Sequence, residues 1–190
     1  MCSSDLTDFI TPKSAVSKDF RNAVLTLAGE HAFARALVNS GRLSVPTHLH
    51  DSPLNTADSE PFVGSLRPGA PLADAPVQHQ GLASWLLRHV GDQFVLLVFE
   101  ADRQHVRQAL AAAAASPVPL RVLLVCAEDG DSPAGCTRIV DLKGRVQERM
   151  DGRPGTTYLL RPDQHVAARW RGADAAAIGA ALARATGHTL

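Results

Sequence analysis

The stretch Phe94-Val-Leu-Leu-Val-Phe99 is six apolar residues with no polar alternation, bounded by Asp92-Gln93 and Glu100. A run of that length and pattern reads as a β-strand buried on both faces, which requires a parallel or mixed sheet covered on each side. The next residues along the chain meet that requirement. Arg103 to Ala115 is an alanine-rich helix with Val106 and Leu110 inward, closed by Pro117 and Pro119, and Arg121 to Val125 is a second apolar strand. Strand, helix and strand within about 30 residues form a βαβ unit, whose crossover is right-handed and whose strands are parallel.

The remaining pattern is read around this unit. Leu82, Trp85 and Leu86 predict a short helix ending near Gly91. Beyond the polar loop Glu128 to Gly135, Thr137 to Asp141 is a short segment, Lys143-Gly144 a turn, and Arg145 to Met150 one or two helical turns. Thr157 to Leu160 and Val166 to Trp170 are two strands joined by Arg161-Pro162-Asp163-Gln164-His165, which has turn chemistry and hairpin length. Asp174 to Thr186 closes the chain as a helix with Ile178, Ala181, Leu182 and Ala185 on its buried stripe. The order β-α-β, then β-β-α, is the thioredoxin fold, so the expected class is α/β with a thioredoxin-like domain over residues 81–190.

Two different segments precede it. Ser17 is read as the N-cap of a helix carrying Phe20, Val24 and Leu27 and stopping at Gly29. A second helix, His31 to Asn39, carries Phe33 and Leu37 and is capped by Gly41. Two such helices cannot bury their apolar faces on each other alone. Between Gly41 and Gln80 the periodicity vanishes and six of the twelve prolines occur. Structureless stretches of that length are uncommon inside compact domains, so residues 42–80 are read as a Pro-rich linker lying extended over a surface, and 7–41 as a separate helical segment.

Composition excludes several functions. With 19 basic and 19 acidic residues, the chain has no electrostatic footprint for nucleic acid or an anionic membrane. Its longest apolar stretches fall far short of the roughly 20 residues needed to cross a bilayer. Asp5 and Asp8 leave no room for a signal peptide, and a cytoplasmic protein is expected. Cys2, Cys126 and Cys136 have no CxxC spacing, which argues against a disulfide framework or a zinc site.

The block Gly152 to Arg171, with Trp85-Leu-Leu, Gly91 and Phe94 to Phe99, resembles the C-terminal thioredoxin-like domain of FAD-dependent aromatic hydroxylases. These are single-component flavin monooxygenases that include phenol hydroxylase and 3-(3-hydroxyphenyl)propionate hydroxylase. Thr11 to Ser17, Asn39 to Ser44 and Pro68 to Pro71 look like the stretch joining their flavin domain to that domain. The resemblance implies a parent in which NAD(P)H reduces FAD, oxygen forms the flavin C4a-hydroperoxide, and a phenolic ring is hydroxylated.

None of those steps is carried by residues here. The family's GxGxxG turn is missing, and the Gly-Asp pairs Gly91-Asp92 and Gly130-Asp131 have the wrong surroundings. No cofactor is expected in this chain; FAD and NAD(P)H are expected for the full-length parent. The reading is therefore a C-terminal fragment, inactive by itself, that scaffolds the flavin domain of the same parent chain and takes part in a homo-oligomer. Cys2-Ser3-Ser4-Asp5-Leu6 resembles a translated sequencing adapter, so residues 1–6 are read as a non-native leader.

Other residues are weighed on their chemistry. A redox thiol would sit near Glu100-Ala101-Asp102-Arg103, where a helix N-terminus lowers thiol pKa; no cysteine is there. A stand-alone thiol enzyme would have to use Cys126, at the end of a strand, or loop residue Cys136. Pro154 falls near the position of the fold's cis-proline but reads as a turn proline. His48-Leu49-His50-Asp51 offers two imidazoles and a carboxylate, on a loop without a rigid scaffold or a third distant ligand. Arg161, Asp163, His165, Arg169 and Arg171 form the densest charged cluster. Alternation places Arg169 and Arg171 on one face, either as a charged edge that blocks strand pairing or as a subunit or interdomain contact. Trp85 and Trp170 are read as core or interface anchors. A stand-alone interaction module whose helical pair docks on a partner is the remaining alternative.

Overall fold

The structure, a computed structural model, describes residues 9, 11–38, 46–100 and 102–188. It divides into two units, Met1–Pro46 and Thr47–Leu190.

The first unit is a helical pair. Helix α1 spans Ala15–Glu30 and α2 spans Ala32–Val38. The N-cap is Ser14 rather than Ser17: its hydroxyl accepts from the Ser17 N–H at 3.1 Å, in the N-cap to N3 geometry that satisfies an otherwise orphan donor. Gly29 lies inside α1, which ends one residue later. Arg35 of α2 donates to the carbonyls of Ala28 and Gly29 at 3.2 and 3.0 Å, so the helix end is closed by a guanidinium instead of a glycine. Gly41 falls outside the described residues. Among the described residues of this unit only Ala28 and Ala34 are buried, whereas Phe20 and Phe33 are 65% and 63% exposed.

The second unit is built on a seven-stranded sheet. Its strands are β1 (Pro76–His79), β2 (Leu82–Trp85), β3 (Phe94–Phe99), β4 (Leu120–Cys126), β5 (Cys136–Val140), β6 (Thr157–Leu160) and β7 (Val166–Trp170), in the order β2-β1-β5-β4-β3-β6-β7. Strands β3, β4 and β5 are mutually parallel, and β6 and β7 are antiparallel additions on the β3 side. Helix α3 (Arg103–Ala115) makes the β3–β4 crossover, α4 (Arg145–Met150) precedes β6, and α5 (Ala175–Ala185) closes the unit. The quartet β4-β3-β6-β7 with α3 and α5 is the thioredoxin-like arrangement that the pattern predicts.

Along β3 the side chains alternate between two cores, as a central strand must. Val95, Leu97 and Phe99 join one cluster, while Leu96 and Val98 join another with Ala109, Ile178 and Leu182 of α3 and α5. Helices thus cover one face. The other face is covered by α4, a 3-10 turn at Leu86–His89 and the Pro-rich stretch itself, which contributes buried Leu66, Ala70, Leu72 and Ala75. From Thr47 onward the expected linker is therefore part of the domain. Its lack of periodicity reflects an extended path along β7: Gly69 N–H donates to Val166, Val166 N–H to Ala70, Leu72 N–H to Gln164 and Thr56 N–H to Ala167, at 2.8 to 2.9 Å.

The helix expected over Leu82 to Gly91 is a strand followed by the 3-10 turn. Gln80 and Gly81, at φ +51° and +77°, form a two-residue hairpin turn between β1 and β2, and positive φ at both central positions matches the twist of paired strands. Cys136 starts β5 rather than sitting in a loop.

Two glycines give opposite expectations. Gly69 has φ +87°, and a Cβ there would overlap the Leu49 carbonyl. Gly179, inside α5, has nothing within 4 Å of its Cβ position. Gly69→Ala is expected to lower stability by about 2 kcal/mol or more, and Gly179→Ala to raise it by about 0.5–1 kcal/mol, read as shifts of the urea midpoint at unchanged slope.

Candidate functional site

In open α/β sheets ligands and reactive groups gather outside the carboxyl ends of the parallel strands. Here that edge is formed by Glu100 after β3 and Cys126 at the end of β4. Ala101 lies outside the described residues. Asp102 caps α3: its carboxylate accepts from the N–H groups of Gln104 and His105 at 3.0 and 3.1 Å and contacts His105 Nδ1 at 2.9 Å. The hydrogen bond from the His105 side chain, helped by the cap, holds this carboxyl below the usual range. An aspartate therefore stands where a redox thiol would need the helix N-terminus.

Cys126 is 2% exposed. Burial pushes its thiol up to about 11, with Arg138 pulling the other way and Glu100 adding to the rise. Burial also raises Cys136. Cys126 thus lacks the accessible setting of a reactive cysteine, and at half-buried Cys136 burial likewise disfavours the thiolate. Pro154 follows a trans peptide bond and leads into β6. A cleft of about 220 Å³ opens beside these residues, lined by Phe99, Glu100, Cys126, Asp141, Gln147 and Arg153. Asp141 is committed within it, because its two oxygens accept from Arg145 and Gln147 N–H at 2.8 and 2.9 Å at the start of α4.

FAD does not fit this edge. A pyrophosphate needs free N–H groups and a glycine turn, and the β3–α3 junction presents Glu100 and the carboxylate of Asp102, which already occupies the helix N-terminus.

The arginine-rich cluster is brought together, and its partners come from the Pro-rich stretch. Arg169, on β7, is 5% exposed and grips Asp58 with both ends of its guanidinium, at 2.9 and 2.7 Å, while Nη1 donates to the Leu66 carbonyl at 2.7 Å. Arg171 pairs with Asp151, donates to the Pro61 and Asp151 carbonyls, and its own N–H donates to Glu60 at 2.8 Å. Both guanidiniums pack on the Phe62 ring, 4.2 and 3.8 Å from its centroid, and Phe62 meets Tyr158 edge-on. Arg169 and Arg171 do share one face, as alternation requires. Arg161 and Asp163 make a two-pronged pair at 3.1 and 2.6 Å, and the His165 ring nitrogens lie 3.0 and 2.9 Å from the Asp163 and Thr47 carbonyls. Three of the five, His165, Arg169 and Arg171, contact the chain's own Pro-rich stretch, whereas Arg161 and Asp163 pair with each other in the β6–β7 turn. The missed partners, Asp58, Glu60 and Phe62, lie more than 100 residues away and have no local signal.

His48 and His50 touch through Nδ1 and Nε2 at 3.0 Å, and His50 also reaches the Pro68 carbonyl at 3.0 Å. Among the described residues no group of three His, Cys, Asp or Glu side chains is arranged to hold a metal ion. Trp170 is 8% exposed and anchors the α5 side of the core, whereas Trp85 is 47% exposed on edge strand β2. No helix among the described residues is long and apolar enough to cross a membrane.

Known proteins share this geometry. The family model for the HcaD C-terminal domain matches residues 77–185. The solved flavin-dependent monooxygenase PieE, in complex with FAD and substrate, is similar at 22% identity over 97% of this chain and 32% of its own, with a TM-score of 0.61. Aklavinone-11 hydroxylase, in a ternary complex with FAD and aklavinone, is similar at 28% identity over 70% of this chain and 25% of its own, with a TM-score of 0.55. The rebeccamycin biosynthetic enzyme REBC, in its substrate-free form, is similar at 23% identity over 95% of this chain and 30% of its own, also with a TM-score of 0.55. The chain thus spans about a quarter to a third of the length of these proteins. Among curated proteins none is matched by this sequence.

Arg169→Ala is expected to cost about 3 kcal/mol in urea unfolding, because it strands the Asp58 carboxylate; Arg169→Met with Asp58→Leu should recover most of that. Asp151 behaves as a pH gauge. The Val63 N–H, aided by Arg171, holds its carboxyl below the usual range, so the stability it adds is present above the unfolded value of roughly 3.9 and is lost as pH falls through the folded value. Asp151→Asn should therefore flatten the acid limb of the stability curve. For the thiols, iodoacetamide at neutral pH should leave Cys126 unmodified in the folded chain and label it in urea, as read by peptide mass spectrometry.

Proposed function

Because the chain belongs to the HcaD C-terminal domain family, we propose that it serves as the C-terminal, non-redox part of a FAD-dependent monooxygenase acting on an aromatic ring. The family match over residues 77–185 carries this reading. The solved relatives are flavoenzymes three to four times longer than the stretch they share with this chain, which supports placing flavin and substrate in sequence outside it. The full-length parent would take FAD and NAD(P)H, as the sequence resemblance implies.

What this chain supplies is structure. The thioredoxin-like edge carries a capping aspartate and a buried thiol in place of reactive cysteines, which supports a scaffold rather than a thiol enzyme. The helical pair supports attachment to a further domain: Val16, Phe20 and Phe33 are 78%, 65% and 63% exposed, an apolar face that a helix pair in water has reason to cover. In this proposal the flavin domain of the same polypeptide covers it, and the thioredoxin-like unit takes part in subunit contact.

Reading the genomic sequence upstream of the codon for Thr7 tests the proposal. A frame running on into a domain with a GxGxxG turn is expected. An in-frame stop directly upstream, with a start codon near Thr7, would overturn it.

A further inference from the structure

On the helix-covered face of the sheet, a second cleft of about 460 Å³ lies between α3 and strands β4 and β5, within the size range of small-ligand sites. Its floor and walls are apolar: Val106 and Leu110 from α3, Leu124 from β4 and Pro133 from the β4–β5 loop. Its rim is cationic, with Arg103, Arg107 and Arg138, and the acidic residue on the lining, Glu100, is already paired with Arg138 at 3.3 Å.

Local folding does not account for these charges. Arg103 and Arg107 sit in the first two turns of α3, where the helix dipole disfavours cations and where no acidic residue occurs in the first turn. They are also like charges at i, i+4, a spacing that costs an isolated helix about 0.2–0.5 kcal/mol. Among the described residues neither guanidinium makes a hydrogen bond or ion pair. The third arginine is fixed: Arg138 is 16% exposed, donates to the Glu128 carbonyl at 3.1 Å, and keeps a buried Nε without a partner. An apolar trough with two unspent guanidiniums at its mouth is complementary to a molecule with an apolar body and one anionic end.

We infer that this cleft binds a small amphipathic organic anion, its apolar body against Val106, Leu110 and Leu124 and its carboxylate between Arg103 and Arg107. The assignment stands apart from any flavin chemistry in the parent and needs only residues of the thioredoxin-like unit.

The test is an NMR titration of the 190-residue chain with octanoate, using octanamide and acetate as matched probes. Octanoate should give saturable amide shifts at Val106, Arg107, Leu110 and Arg138, and each control should bind at least about tenfold more weakly, the order expected for losing a charge-assisted contact or the buried body. The variant Arg103→Gln with Arg107→Gln, both exposed positions, should keep the parent spectrum and weaken octanoate by a similar factor. Equal binding of octanamide, unchanged affinity in the variant, or shifts confined to α1 and α2 would overturn the assignment.

Discussion

A central strand with no polar face sets the terms for the second unit. Because β3 sends Val95, Leu97 and Phe99 one way and Leu96 and Val98 the other, both faces of the sheet must be roofed. Helices α3 and α5 roof one. No helix of comparable size among the described residues covers the other, and an extended strap takes its place. An extended chain buries less apolar surface per residue than a helix and pairs fewer of its backbone groups internally, so it needs outside partners. Strand β7 supplies them through its backbone and Arg169, and Arg171 just beyond its end adds more. The bidentate Arg169–Asp58 pair, with Phe62 stacked beneath the two guanidiniums, converts a proline-rich stretch into a layer of the core.

The same economy explains the candidate site. The carboxyl ends of the parallel strands form the place where this fold most readily hosts chemistry, yet its acidic groups are spent on structure: Asp102 on the start of α3, Asp141 on the start of α4, Glu100 on Arg138. Cys126 is buried rather than presented. The architecture has kept the geometry of a thioredoxin-like domain and used its polar positions to hold loops in place. These uses of the polar groups support the scaffold role proposed above.

Where a signal is local, the sequence is legible. The apolar runs at Phe94 and Arg121, the alanine-rich helices and the hairpin around Asp163 all announce themselves through period and turn chemistry. The pairing of Arg169 with Arg171 on one face follows from alternation alone. Three features were hidden for physical reasons. Gln80 adopts a left-handed conformation usually filled by glycine or asparagine, so the β1–β2 turn reads as part of a helix. Ser14 and Ser17 are both competent caps, and only the backbone decides between them. The strap has no period because its contacts are to a strand more than 90 residues away, a relation that one chain read by itself does not contain.

The central claim is that the strap from Thr47 to Ala75 belongs to the same cooperative unit as the sheet. Hydrogen exchange of the folded chain in dilute urea measures it directly. The account predicts that the amides of Thr56, Gly69 and Leu72 exchange with the same opening free energy and urea dependence as those of Leu96 and Leu97 in β3. Exchange of the strap amides at the rate of a free coil, while β3 stays protected, would contradict it and return the proline-rich stretch to the role of a linker.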